Sequence, residues 1–288
     1  MHGLAEPDET VAVIARRLGA VVGPWCACHA LPLDRCPGTG PVAGRLPPAI
    51  PRVGETSAGF AALIDHTLLR PDATREQIAA VCHEGIAYRF ASVCVNPFWV
   101  SEVARHLASS DVGVCAVVGF PLGALPPAMK RHEAAGVLAA GATEVDMVMN
   151  IGALKSGDLR TAYDEIVAVV GEAADRGAQV KVILETALLE TDEKIAGALL
   201  ARAAGADYVK TSTGFGPGGA TVADVRLLRR IVGDTMGVKA SGGIRDLAQA
   251  RTMLEAGATR LGTSAGVRII AEWRSSQLEG DGDRLDDE

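Results

Sequence analysis

The chain has 288 residues, 48% of them hydrophobic and 4% aromatic, which suits one α/β barrel-sized domain or two smaller domains with a core of alanine, valine, leucine and isoleucine. Its 28 basic and 35 acidic residues give a net charge of −7 with no basic run. This balance argues against nucleic acid and anionic membrane surfaces as partners, although a few local cations suffice to hold a small anionic substrate.

The location of the protein is predicted from the start of the chain, its apolar runs and its cysteines. The first nine residues carry three acids and no apolar run, and no stretch approaches the ~20 apolar residues that span a bilayer. Six cysteines in a chain of this length fit reduced thiols better than a disulfide framework. We therefore expect a cytoplasmic protein.

Residues 1–56 are predicted to form an N-terminal extension. Val11, Ile14, Leu18 and Val21 share one helical face, which predicts an amphipathic helix over residues 10–22. We expect this helix to pack on the main body of the protein or on a second subunit, as in a homodimer.

A cysteine-containing loop and a linker follow this helix. Cys26, Cys28, His29 and Cys36 offer zinc ligands, but their spacing is not a familiar zinc pattern, so a plain thiol-containing loop is the favoured interpretation. Five prolines between residues 37 and 54 predict a linker. The folded domain should begin near Ser57.

One pattern recurs from there to about residue 270: a helix ends at a small-residue step and a short apolar strand follows, as in 140–146, 204–210 and 256–262. Five further apolar runs predict strands at 63–65, 91–95, 113–119, 179–185 and 238–241. Eight strands that alternate with helices predict a (β/α)8 TIM barrel over residues 57–272, with an open doubly wound sheet as the alternative. Residues 273–288 are acidic and are predicted to be a disordered tail.

Three charged side chains lie at or near the ends of predicted strands. In such barrels the active site lies at the carboxyl ends of the strands, where Asp146, Lys210 and Lys239 are expected. The two lysines are one βα unit apart, so they should lie on neighbouring strands. Repulsion between two nearby ammonium groups lowers the pKa of one of them, and a neutral amine forms a Schiff base with an aldehyde. Asp146 could then move protons.

A structural alternative stays open at this point, since the lysines could simply be ion-paired with carboxylates such as Glu185 or Asp146. Metal-dependent chemistry is disfavoured, because all six histidines precede Asp146 and no His/carboxylate cluster stands at the late strand ends. No dinucleotide fingerprint or Gly-x-Ser-x-Gly elbow is present, and we expect neither a metal nor a cofactor.

Glycine-rich turns follow the seventh and eighth strands at 241–244 and 262–266, with another at 213–219. Such turns commonly cradle phosphate in these barrels through backbone N–H groups and helix N-termini. A phosphorylated small molecule is therefore the expected substrate class.

At these residues the chain resembles deoxyribose-phosphate aldolase, a class I (Schiff-base) aldolase family. The matching segments run in order along the barrel: 64–67 (IDHT), 92–97 (SVCVNP), 118–123 (VGFPLG), 144–148 (EVDMV), 181–186 (KVILET), 209–215 (VKTSTGF), 239–245 (KASGGIR) and 262–264 (GTS).

The resemblance implies reversible, metal-independent cleavage of 2-deoxy-D-ribose 5-phosphate to acetaldehyde and glyceraldehyde 3-phosphate, in deoxyribonucleotide catabolism. It implies that Lys210 forms the Schiff base, that Lys239 lowers the pKa of Lys210, and that Asp146 transfers protons through water. It further implies a polar pocket and a phosphate site, formed respectively by Asp65, Thr67, Cys94 and Lys181 and by Gly214, Gly242, Gly243, Gly262 and Ser264.

Two alternatives to this activity remain at the level of the sequence. One is a related Schiff-base aldolase that acts on another phosphorylated sugar. The other is a non-catalytic protein that binds a sugar phosphate. Some family members also bring a C-terminal tyrosine into the site, whereas the tail here contains none.

Overall fold

The computed structural model describes residues 7–22 and 56–282. Its centre is a closed barrel of eight parallel strands in sequence order, in which β1 also pairs with β8. This confirms the predicted (β/α)8 TIM barrel, and the open-sheet alternative is wrong. The strands are β1 Ile64–Leu68, β2 Ser92–Val95, β3 Gly113–Val118, β4 Glu144–Val148, β5 Gln179–Ile183, β6 Tyr208–Lys210, β7 Gly237–Ser241 and β8 Arg260–Thr263.

Helices alternate with the strands and cover the outside of the barrel. Short 3-10 turns occur at Pro97–Trp99, Thr186–Leu188 and Gly233–Thr235. The α-helices in the described residues are α1 Pro7–Val22, α2 Ser57–Ala61, α3 Arg75–Tyr88, α4 Val100–Leu107, α5 Pro127–Ala139, α6 Ile151–Lys155, α7 Leu159–Ala174, α8 Thr191–Ala203, α9 Val222–Val232, α10 Leu247–Glu255 and α11 Gly266–Gly282.

Local sequence signals fix several of these boundaries. Thr74 and Gln77 form a reciprocal capping box at the start of α3, and the Thr221 side chain accepts a hydrogen bond from the Asp224 N–H at the start of α9. Both helix starts are as predicted. The fifth strand is shorter than predicted because Glu185 adopts a left-handed conformation, with φ of 54°, and leaves the extended path.

The two faces of each strand have different chemistry. Side chains that point outward, such as Val93, Val145 and Leu261, are fully buried in the main apolar core between strands and helices. Side chains on the other face point into the barrel, and many of them are charged, including Asp146 and Lys181. Strand alternation therefore separates an apolar outer layer from a polar interior.

The N-terminal helix α1 packs on α7 and α8 on the outside of the barrel. Ile14, Ala15 and Leu18 are buried in this contact and belong to the main core. The amphipathic helix predicted over residues 10–22 is present and packs on the main body. The cysteine loop with Cys26, Cys28 and Cys36 and the proline-rich linker lie outside the described residues.

The C-terminal helix corrects one prediction. Residues 273–282, which the sequence placed in a disordered tail, continue α11 to Gly282. Trp273 is buried against the core and gives the helix an apolar anchor despite its acidic composition. Arg268 forms an ion pair with Glu272, one helical turn further along α11. No helix in residues 7–22 and 56–282 has the length and apolar character needed to cross a membrane.

The docking of α1 is tested by the change Ile14→Ala. Loss of this buried side chain should weaken the contact by about 2–5 kcal/mol, so trypsin cleavage after the exposed Arg16 and Arg17 should accelerate at least about tenfold. Val13, which is 37% exposed, provides the control. Val13→Ala also introduces alanine, which favours the helix equally, but it removes no buried side chain from the contact. Equal cleavage rates in the two variants would show that α1 is not held by this contact.

Candidate active site

Strand register brings the predicted catalytic lysines together. Lys210 on β6 lies beside Lys239 on β7, and Lys181 on β5 lies beside Asp146 on β4. Because equivalent positions on neighbouring strands point to the same side, all four side chains enter the barrel interior. Lys181, Lys239 and Asp146 are completely buried, and Lys210 is 3% exposed.

The Asp146 carboxylate is the meeting point of the three lysines. Its Oδ2 atom lies 2.7 Å from Nζ of Lys210 and 2.6 Å from Nζ of Lys239, and its Oδ1 atom lies 2.8 Å from Nζ of Lys181. The Cys115 thiol also donates a hydrogen bond to Oδ1, at 3.2 Å. Each carboxylate oxygen is therefore held by two donors.

A second layer of charges lies deeper in the barrel. Asp65 Oδ2 is 2.5 Å from Lys239 Nζ, and Asp65 Oδ1 is 2.6 Å from a guanidinium nitrogen of Arg260. Glu144 is 2.5 Å from Lys181 Nζ and 3.3 Å from Arg260. These residues connect the Asp146 cluster to the amino end of the barrel, where Glu144 and Arg260 begin their strands. We refer to the complete set as the ion network: Asp65, Glu144, Asp146, Lys181, Lys210, Lys239 and Arg260.

Mutual attraction keeps the buried side chains of Asp146 and Lys239 charged. Burial alone would raise the pKa of Asp146, but the Lys181, Lys210 and Lys239 ammonium groups hold that pKa well below its usual range. Burial opposes the charged form of Lys239 in the same way, yet the carboxylates of Asp146 and Asp65 raise its pKa. Lys239 therefore remains a cation at neutral pH.

An open cavity of about 340 Å³ lies above the network at the carboxyl end of the barrel. Lys210 is the one member of the network that borders this cavity, whereas Asp146 and Lys239 lie directly beneath it. The predicted residue Thr67 forms part of the wall, as do the arginines Arg70 and Arg245. A ligand in the cavity thus meets one amine, supported by buried charges.

Glycine-rich turns after β6, β7 and β8 form much of the remaining wall. Gly242 and Gly243 both have left-handed φ values, of 85° and 83°, which a side chain would disfavour. The Ser241 hydroxyl donates to the Ser212 carbonyl at 2.5 Å, so adjacent turns are bonded to each other. All five residues predicted for the phosphate site border the cavity: Gly214, Gly242, Gly243, Gly262 and Ser264.

Gly262 has a further role that its position makes evident. A Cβ atom there would lie 3.0 Å from Cε of Lys239 and 2.9 Å from Cβ of Ser241. The bare backbone of β8 therefore leaves the space through which the Lys239 side chain reaches Asp146. Gly262 therefore both forms part of the cavity wall and leaves room for the Lys239 side chain beneath it.

Three residues predicted to line the polar pocket lie beneath it instead. Asp65, Cys94 and Lys181 are completely buried and do not border the cavity. Asp65 and Lys181 belong to the ion network, while Cys94 packs in a small inner cluster with Leu69 and Cys115. Direct contact of these three side chains with a substrate stays a prediction. In the structure, Asp65 and Lys181 instead hold the charged groups that surround Lys210 and Lys239.

Glu144, Arg260 and Cys115 also belong to this site, and none of them was predicted from the sequence. Glu144 and Arg260 begin their strands, two residues before Asp146 and Gly262 respectively, so strand alternation places them on the same inward face. That period of two was the available signal. Glu185, the alternative lysine partner, instead accepts hydrogen bonds from the backbone N–H and hydroxyl of Thr213.

The donor atoms do not favour a metal ion. Cys94, Cys115 and Asp146 have potential ligand atoms within 4.8 Å of one another, and so do Asp65, Cys115 and Glu144. The carboxylates in both groups are already paired with lysine or arginine. A cation placed there would face those positive charges at close range, which opposes its binding.

The fold and this lysine–carboxylate centre are those of an aldolase-type (β/α)8 barrel, and comparison with known proteins specifies the family. The profile described as "DeoC/LacD family aldolase" matches residues 60–271. The chain belongs to this family.

Named relatives are similar over most of the barrel. The deoxyribose-phosphate aldolase of Brevibacillus brevis is 58% identical over 207 residues, which cover 72% of this chain and 93% of that protein. The enzyme of the same name from Caldanaerobacter subterraneus is 53% identical over 225 residues, covering 78% and 97%.

A solved structure gives the same result. The deoxyribose phosphate aldolase from Aeropyrum pernix, described as a unique tetramer, superposes with a TM-score of 0.72 at 37% identity. The superposition covers 77% of this chain and 93% of that one.

The contribution of the ion network to stability is tested by Asp65→Asn. Burial opposes the Asp65 charge, but Arg260, Lys239 and Lys181 hold its pKa below the ordinary value of 3.8. Removing one partner of a buried ion pair should lower the free energy of unfolding at pH 7 by about 3–5 kcal/mol, as measured by urea unfolding.

The stability contributed by Asp65 should depend on pH in a defined direction. Because the folded-state pKa is depressed, the stability due to Asp65 is complete above about pH 3.8 and is lost as pH falls further. The gap between wild type and Asp65→Asn should therefore narrow below pH 4. Asp72→Asn removes an exposed carboxylate and should leave unfolding nearly unchanged. A gap that is constant down to pH 3 would contradict the assignment.

Proposed function

We propose that this protein is a class I aldolase that reversibly cleaves 2-deoxy-D-ribose 5-phosphate to acetaldehyde and D-glyceraldehyde 3-phosphate. The observation that carries the proposal is the position of Lys210, which borders the cavity and contacts Asp146 at 2.7 Å beside Lys239. The deoxyribose-phosphate aldolases that share more than half of their aligned residues with this chain support the choice of substrate.

In the proposed reaction, the Lys210 amine adds to C1 of the open-chain sugar, and loss of water gives a protonated Schiff base. The positive nitrogen then accepts the electron pair of the C2–C3 bond as the C3 hydroxyl loses its proton. Glyceraldehyde 3-phosphate leaves, and an enamine remains on Lys210. Protonation at C2 and hydrolysis release acetaldehyde and restore the amine.

The ion network can accommodate a neutral Lys210 amine without an excess of either charge. With all groups ionised it contains four cations and three carboxylates, so deprotonation of one lysine leaves three charges of each sign. Lys239 and Lys181 are fully buried, which leaves Lys210 as the amine that substrate can reach. Asp146, bonded to Lys210, is placed to accept and return protons during formation of the Schiff base.

We assign the phosphate to the turns that face Lys210 across the cavity. Backbone groups of Gly214, Gly242 and Gly243 and the segment at Ser264, just before α11, offer hydrogen-bond donors without bulky side chains. Arg245, exposed at the same wall, adds positive charge. This arrangement explains how an acidic chain can bind an anionic substrate.

We also propose a cytoplasmic location and self-association into at least a homodimer. The free thiols of Cys82, Cys94 and Cys115 suit a reducing compartment. Phe98 and Leu122 are 80% and 74% exposed near the mouth of the barrel, and large exposed apolar side chains favour protein contacts. The relative from Aeropyrum pernix is described as a tetramer.

The proposed reaction is tested by trapping the Schiff base. The full-length protein is treated with borohydride in the presence of 2-deoxyribose 5-phosphate or acetaldehyde, and the reduced adduct is mapped by peptide mass spectrometry. We expect the adduct on Lys210 and not on the buried Lys181 or Lys239. Lys210→Met should abolish both the adduct and turnover, whereas a full adduct yield on another lysine would refute the assignment.

The role of Lys239 is tested by comparing Lys239→Leu with Lys239→Arg. Removal of the neighbouring cation in Lys239→Leu makes the neutral form of Lys210 less favourable, so kcat should fall at least about 100-fold and the pH–rate profile should move to higher pH. Lys239→Arg keeps the charge and should keep the position of the profile even if the rate falls. If Lys239→Leu retained the parental profile, charge repulsion would not explain the reactivity of Lys210.

A further inference from the structure

Two cysteines lie in register directly beneath the cavity, and the proposed aldol reaction does not use their thiols. Cys94 on β2 is paired with Cys115 on β3, and both side chains are completely buried. Their Sγ atoms and the nearest oxygen of Asp146 all lie within 4.8 Å of one another. The two thiols are therefore neighbours of each other and of the carboxylate at the centre of the ion network.

The backbone geometry permits a covalent link between them. Adjacent strands are separated by about 4.8 Å, which is inside the range of roughly 4.4–6.8 Å found between the Cα atoms of disulfide-bonded cysteines. We propose that Cys94 and Cys115 are an oxidative modification site, at which a peroxide converts the two thiols to a reversible disulfide that inactivates the enzyme.

The two thiols are suited to different steps. The neighbouring Cys115 lowers the pKa of Cys94 against the effect of burial, whereas burial raises the pKa of Cys115 well above its ordinary value. Cys94 thus supplies the thiolate that attacks hydrogen peroxide, breaking the O–O bond to give a sulfenic acid and hydroxide. Cys115 then attacks the Cys94 sulfur, and its proton leaves with the hydroxyl group as water.

Access to the pair runs through the cavity wall. Leu69 borders the cavity and packs in the same small cluster as Cys94 and Cys115, and Phe120 packs against that cluster from the side. The thiols therefore lie one side chain below the cavity. A two-oxygen peroxide is small enough to reach them by displacement of Leu69, and an occupied cavity should slow the reaction.

Disulfide formation would act on Asp146 directly. Cys115 donates a hydrogen bond to Asp146 Oδ1 at 3.2 Å and lies 3.5 Å from Lys181 Nζ. A disulfide has no S–H group, so Asp146 would lose this donor, and the two sulfurs would draw closer together. The effect on activity rests on the proposed function, whereas formation of the bond does not.

The experiment exposes reduced, full-length protein to hydrogen peroxide, removes the excess with catalase, and divides the sample. One part is assayed for cleavage of 2-deoxyribose 5-phosphate before and after dithiothreitol. The other part is digested without reduction and searched for the linked Cys94–Cys115 peptide. We expect at least a fivefold loss of activity that dithiothreitol restores, in proportion to the linked peptide, and slower linkage when the sugar phosphate is present.

Cys115→Ala and Cys94→Ala are compared, each normalised to its own reduced activity. Without Cys115 the sulfenic acid on Cys94 has no partner, so continued exposure to peroxide should oxidise it to the sulfinic acid, which dithiothreitol does not reduce. Without Cys94 the fast inactivation should disappear. Cys82→Ala provides the control, since Cys82 lies on α3 and burial raises its pKa to about 11, and this variant should behave as wild type.

The peptide analysis separates failure of this inference from failure of the proposed function. Absence of the linked peptide from peroxide-treated protein would overturn the inference, whatever the substrate. Reversible inactivation that persists unchanged in Cys94→Ala would also overturn it. If the linked peptide forms in a protein that does not cleave the sugar phosphate, the modification site stands and the proposed activity falls.

Discussion

The barrel interior is organised by one carboxylate that serves three lysines. Asp146 contacts Lys181, Lys210 and Lys239 from a position that solvent does not reach. An isolated buried charge would be very unfavourable, so each of these residues depends on its partners in the ion network. Burial and pairing therefore have to be considered together: the carboxylate makes three buried ammonium groups tolerable, and those groups keep it ionised.

This mutual dependence explains features that look unrelated in the chain. Gly262 leaves room for the Lys239 side chain, and Arg260, two residues earlier on β8, neutralises Asp65 and Glu144 below. Strand register then fixes the relative heights of these groups, because a shift of one residue on any strand would turn its inward side chains outward. The chemistry at the mouth is thus determined by pairing along the full depth of the barrel.

Much of this was accessible from the sequence, for identifiable reasons. The repeated small-residue steps before strands and the shared inward face of Asp146, Lys210 and Lys239 follow from periodicity, which local sequence records directly. Of the three, only Lys210 ends its strand, whereas Asp146 and Lys239 lie in the middle of β4 and β7. The depth of Asp65, Cys94 and Lys181 does not follow from periodicity, since it depends on how far each strand is staggered against its neighbours. The helical course of residues 273–282 was missed because acidic composition outweighed a single buried anchor, Trp273.

Lys210 is the point of contact between two parts of the molecule that can change independently. The turns after β1, β6, β7 and β8 form the cavity wall, while the ion network beneath contributes that one side chain to it. Substitutions in the turns can therefore reshape the volume, polarity and charge around a bound ligand and leave the buried charges intact. This separation gives the scaffold a simple route to divergence, in which the buried ion network is inherited and the range of accepted ligands is altered by changes at the rim.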